Sequence, residues 1–340
     1  MSEKDRALPE QEQSVTLPFY LQYQNINLSQ IPNIPTDRFY LDMDGFAPWE
    51  INAMLANLQD GQKVQDVFSI GTFESWRTLY DAEGNILYSP ENGWTGDWTG
   101  NQPSWIGGLI PGSSDEHVLN FSSEAELDEW LSIVENQINY RMEHYESLDG
   151  VALANLDKLV SNAQSVQVDA AALADKIEAY QNDSLTFMTD GELAESRTFL
   201  NQLQAADSLG GVIWTDVFSK VDEADNSAVT SVKQHVAYPF FNGLRGAGVP
   251  VNILEHYPAN TSFDIINKAI DNAAIFGFGS YVADPEHGKI EALYRENLRA
   301  QGFPQAFVPS AFSSLDISGG DDVDQASAPI PGGGGAPRAL

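Results

Sequence analysis

Arg38-Phe39-Tyr40-Leu41-Asp42-Met43-Asp44-Gly45 is the stretch on which the reading of the fold turns. Phe39, Tyr40 and Leu41 are large and β-forming, so Arg38–Leu41 is expected to be a strand, and Asp-Met-Asp-Gly suits the turn that ends it. Just downstream, Ile51, Met54, Leu55 and Leu58 recur at helical spacing, which predicts a helix over Pro48–Leu58. Ser75–Tyr80 and Asn85–Tyr88 flank Asp81-Ala82-Glu83-Gly84 and predict a β-hairpin, with Gly84 free to take positive φ.

Helical patterning takes over further along. Ser123 and Glu126 form a capping pair, and Leu127, Trp130, Leu131, Val134, Ile138, Tyr145 and Leu148 keep one apolar face. Helices are also expected over Ala152–Ala163, over Ala170–Gln181, and from Thr189/Glu192 to Gly210-Gly211. Beyond residue 226 the classes mix. Ser227–Ala237 and Ser262–Ile275 read as helix, Val249–His256 as strand, and Asp284–Gly302 as a helix with Pro285 at its first position.

The fold class expected from this order is α+β: a β-rich aromatic N-terminal region, then a mainly helical body, with disordered arms at both termini. The expected segments are an arm over 1–16, a β-rich region over 17–121, an acidic helical bundle over 122–225, a near-neutral mixed region over 226–310, and a Gly/Pro/Asp tail over 311–340.

Charge is the strongest compositional signal. The chain of 340 residues carries 17 Lys+Arg against 49 Asp+Glu, a formal net charge of −32. Residues 1–225 hold 38 of the acids and 10 of the bases, so the excess is concentrated there. Such a field repels nucleic acid and anionic membrane, and argues against sequence-specific nucleic-acid binding. With no cysteine, disulfides, thiolate zinc sites and thiol catalysis are excluded. The charged start, Met1-Ser2-Glu3-Lys4-Asp5-Arg6, lacks an apolar segment after it and does not read as a signal peptide. The near-apolar run Ala273–Ala283 is too short to span a bilayer, so a virion or cytoplasmic location is expected.

Two constellations carry possible chemistry. Phe39–Gly45 resembles the first motif of haloacid-dehalogenase-type phosphatases, in which an apolar strand delivers two aspartates to a phosphate and its Mg²⁺. The resemblance implies Asp42 as nucleophile and Asp44 as acid/base. Phe46 stands where that family usually has Thr or Val, and Pro48-Trp49 departs from its continuation. Gly93–Trp105 places Trp94, Trp98 and Trp105 in a Gly-rich loop, which could bind a sugar or a partner, or could fill the small β-region.

The remaining candidates are weaker. Gly243, Gly246, Gly248, Gly277 and Gly279 do not follow a strand in the order a dinucleotide site needs. His117, His144, His235, His256 and His287 show no metal spacing, and Glu255-His256 point to opposite faces of a strand. No metal and no cofactor is therefore expected. The function these readings favour is non-enzymatic: a structural or assembly component of a virion, homo-oligomeric and bound to other structural proteins. The alternatives are the phosphatase using Asp42 and Asp44, and a carbohydrate-binding module using the three tryptophans.

Overall fold

The computed structural model describes most of residues 19–256 and the strand Gly279–Ala283, with short breaks of which the longest are 179–184 and 222–227. The expected arm over 1–16, the helices over 262–275 and 284–302, and the tail over 311–340 lie outside the described residues.

In chain order, β1 (Tyr20–Gln22), β2 (Arg38–Leu41), α1 (Pro48–Leu55) and β3 (Lys63–Ser69) come first. An excursion of short strands follows: β4 (Thr72–Glu74), β5 (Leu79–Tyr80), β6 (Ile86–Ser89), β7 (Gly93–Trp94), β8 (Ile106–Leu109) and β9 (Glu116–Leu119). Then come α2 (Glu124–His144), β10 (Gly150–Ala154), α3 (Leu156–Ser165), α4 (Ala170–Glu178), β11 (Thr186–Thr189) and α5 (Ala194–Ala205). The described chain finishes with β12 (Gly211–Thr215), β13 (Ser219–Val221), β14 (Ala228–Thr230), α6 (Lys233–Gly246), β15 (Val251–His256) and β16 (Gly279–Ala283).

Eight of these strands form one parallel sheet in the order β1-β2-β3-β10-β11-β12-β15-β16. Sequential order with all strands parallel is the arrangement of a (β/α)₈ barrel. The sheet curls accordingly: Asn252 on β15 donates to the Tyr40 hydroxyl on β2 at 3.4 Å, although four strands separate them in the order. No pairing between β16 and β1 is seen among the described residues, so the strands form an arc.

Register divides the sheet into two faces. Tyr40, Val67, Ala152, Met188, Ile213 and Leu254 alternate along successive strands and share one core, which fills the inside of the arc. The intervening positions, among them Phe68, Val151, Leu153, Phe187, Val212, Trp214 and Ile253, pack outward with Trp130, Leu159, Leu173, Phe199 and Leu203 of the helices. Aromatic pairs mark this outer layer: Phe68 on Trp130 at 6.4 Å, and Trp214 stacked on Phe241 at 3.9 Å.

The expected α+β division is thus corrected. The β-rich texture after residue 70 is an excursion between β3 and α2, built as two small antiparallel sheets, β4-β9-β8 and β5-β6-β7. The supposed helical bundle contains β10, β11 and β12 of the main sheet. These strands are buried on both faces, so they show no polar alternation and read like helix. Ala152–Ala154, expected to open a helix, is strand, and the helix begins at Leu156 after Asn155 in left-handed conformation (φ 62°). Thr189 closes β11 and does not cap α5, while Ala228–Thr230 is strand ahead of α6.

Other local readings hold. Arg38–Leu41 is β2, the hairpin turns with Gly84 at φ 79°, and α1 and β15 form where expected. Helix α2 starts with Ser123 Oγ accepting from the Glu126 amide at 3.4 Å, while Glu126 reaches back to the Ser122 amide at 2.6 Å.

Candidate active site

In a parallel sheet of this order the C-terminal ends of the strands gather the loops, and reaction centres are built there. At that edge β2 runs into Asp42-Met43-Asp44. Asp42 follows directly on Leu41, where β2 ends, and lies two residues past inward-facing Tyr40. Ser69, Ala154 and Thr215 end β3, β10 and β12 in the same inward phase. Among these described positions Asp42 alone is a carboxylic acid.

Asp42 sits in a buried charged cluster assembled by three elements. Arg77, in the turn between β4 and β5, grips Asp42 with two parallel bonds, Nη2–Oδ2 at 2.8 Å and Nη1–Oδ1 at 3.0 Å. The same Nη1 reaches Asp44 Oδ2 at 2.7 Å, and Nε bonds Glu74. From α2, Arg141 bonds Asp66 of β3 through Nε and approaches Asp44 Oδ2 at 3.3 Å. Asp66 also accepts the Met43 amide at 2.9 Å, fixing the loop that carries both aspartates. Both guanidiniums lie against Phe68, at 5.7 and 5.1 Å from its centroid. Beside the cluster, Ser69, Thr72 and Asn155 form a short hydroxyl–amide chain, with Ser69 Oγ 2.6 Å from Thr72 Oγ1 and Asn155 Nδ2 donating to Ser69 at 2.9 Å.

Four carboxyls therefore face two guanidiniums with almost no water. Burial raises the Asp42 carboxyl to about 7; Arg77 opposes this, and Asp44, Asp66 and Glu74 add to it. Asp66 and Glu74 are also raised, again chiefly by burial, against the pull of Arg141 and Arg77 respectively. A carboxyl that stays protonated up to neutral pH can deliver a proton, which is the chemistry of a general acid.

The other residues singled out in the sequence do not join this cluster. Trp94 and Trp105 are buried in the excursion, and Trp98, half-buried, packs on both at 5.1 and 6.4 Å. Glu255 is buried at the end of β15, where it accepts the Val217 amide at 2.9 Å. The side chains of His235, His256 and His287 lie outside the described residues. Among those described, no group of three or more His, Asp or Glu is arranged to hold a metal, and no helix is long and apolar enough to cross a membrane. The residues that sequence reasoning missed are Asp66, Glu74, Arg77 and Arg141, which come from separate elements and share no spacing.

No protein-family model matches the chain, and no curated protein matches it. Solved structures do match, among them the glycoside hydrolase domain of PelA from Pseudomonas aeruginosa and a glutamate-to-alanine variant of that domain. Each has a TM-score of 0.54 and 14% identity, covering 80% of this chain and 95% of the other. At that identity the likeness establishes the fold.

These findings correct the functional expectations. The likeness is to an enzyme domain and nothing points to a virion, so the non-enzymatic assembly role is withdrawn. The phosphatase alternative fails as well. Asp42 and Asp44 do lie at the end of a parallel strand, but a guanidinium occupies the space between them where that reading needs a cation. The binding-module alternative gives way to a likeness that spans most of the chain, and Trp94 and Trp105 are turned into the core.

Proposed function

We propose that this chain is a carbohydrate-active enzyme of the glycoside hydrolase kind, working at the C-terminal edge of its parallel sheet. Asp42 is the proton donor to the glycosidic oxygen. The single observation that carries the reading is its buried carboxyl, raised by burial to about 7, in the loop at the C-terminal end of β2. Glycoside hydrolysis needs a second carboxyl close by. Asp44, which shares Arg77 Nη1 with Asp42, is the partner assigned here.

Arg77 holds both carboxyls in place, and Arg141 with Asp66 fixes the loop beneath them. The acidity of the chain suits this substrate class, since a neutral glycan is not repelled by a negative field.

The test is release of reducing ends from a panel of neutral and amino-sugar polysaccharides, comparing the chain with Asp42→Asn. Turnover of at least one glycan, reduced by about 10²-fold or more in the variant, is the expected result. No hydrolysis across the panel, or an unimpaired variant, would overturn it.

A further inference from the structure

At the opposite pole, where the strands begin, the inside of the arc opens into a cavity of about 140 Å³. Arg38, Tyr40, Lys63, Gln65, Asp149 and Gly210 line it, so four strand starts contribute. Arg38 and Tyr40 fall on the inward face of β2.

The charges here are unusual for so acidic a chain. Lys63 is 3.5 Å from Asp149 Oδ1, and the other Asp149 oxygen accepts the Val64 amide at 3.1 Å, so that carboxylate is fully engaged. Arg38 is different. Among the described residues no carboxylate pairs with its guanidinium, although acids outnumber bases 49 to 17 in the chain. Its bonds to Thr36 use the backbone alone. Tyr40 accepts from Asn252, which leaves its own hydroxyl proton to give.

We infer that this N-terminal cavity is a binding site for a small oxyanion, anchored by Arg38. A guanidinium presents two parallel N–H groups that match a carboxylate or phosphate edge. Lys63 and the Tyr40 hydroxyl supply further donors. The volume accommodates a monophosphate or a short carboxylic acid. The site is independent of the reaction centre at the other end of the sheet.

Calorimetric titration of the chain with inorganic phosphate and, separately, acetate, at matched ionic strength, tests this. Saturable one-site binding by at least one anion is expected, and the anion that saturates identifies the source. Arg38→Gln should weaken it at least tenfold while leaving the anion-free melting temperature unchanged, because among the described residues the guanidinium has no bond to lose. Asp149→Asn should tighten it, since a neighbouring negative charge goes. Should Arg38→Gln fold poorly, Lys63→Gln serves in its place. Absence of saturable binding by both anions, or unchanged affinity in the Arg38 or Lys63 variant, would refute the site.

Discussion

Asp42 illustrates how burial can outweigh a charged partner. A carboxylate gripped bidentately by arginine ordinarily titrates low, yet burial, aided by three neighbouring carboxyls, pushes this one up. The consequence for stability follows from linkage. Unfolded, the group titrates near 3.8; folded, at about 7, so the folded state holds the extra proton between those values. Its stabilising share is complete at low pH and is lost as pH rises to about 7. Thermal melts at pH 5 and pH 8 should therefore show a smaller loss at the higher pH for Asp42→Asn than for the parent chain. Equal losses would mean that Asp42 is ionised throughout. Arg77 sits on the other side of the same balance. Replacing it by methionine strands Asp42 and Glu74 without their cation, and urea unfolding should report a loss of about 3–5 kcal/mol, the usual cost of breaking a buried pair. Little of this could be read from the sequence. Asp42 and Asp44 stood out as a pair, but Arg77 lies in a hairpin region and Arg141 occupies the apolar stripe of a helix.

At the scale of elements, what was legible depended on how each strand is buried. β2 and β15 carry bulky residues between polar flanks and were readable. β10, Gly-Val-Ala-Leu-Ala, has both faces covered and an Ala/Leu content that favours helix, so only its pairing with β3 and β11 makes it strand. β16 lies in a Gly-rich stretch whose signal is weak in isolation. The junction after β3 shows a constraint invisible in one dimension. A methyl group on Gly71 would collide with the Asn155 carbonyl oxygen, because the chain leaves the sheet directly over the start of α3. Gly71→Ala should cost about 1–3 kcal/mol or more in urea unfolding, as overpacked sites do. Trp130 joins α2 to the sheet, stacking on Phe68 and donating to the Ile70 carbonyl at 2.8 Å. Trp130→Ala should lose about 3–5 kcal/mol. A near-neutral outcome for either variant would mean the excursion is not held as described.

For the whole molecule, the order β-strand, helix, β-strand repeated around an arc explains why the chain looks divided in sequence and is continuous in space. Part of the acidic excess lies exposed on the outer helices, as at Glu124 and Glu143 of α2 and Asp175 of α4, where like charges repel. Screening should relieve the strain: at about 1 M NaCl, where the Debye length is about 3 Å, the melting temperature should exceed its low-salt value. A fall would show that attractive ion pairs dominate the surface instead. The central claim remains chemical, that a carboxyl at the C-terminal edge donates the proton. Its most direct measurement is kcat/KM against pH on a hydrolysed glycan, for the parent chain and for Asp42→Asn. The account predicts activity that declines above pH 7 in the parent, and in the variant a low, flat rate without that limb. A descending limb with the same midpoint in Asp42→Asn would assign the proton to another group and contradict the account.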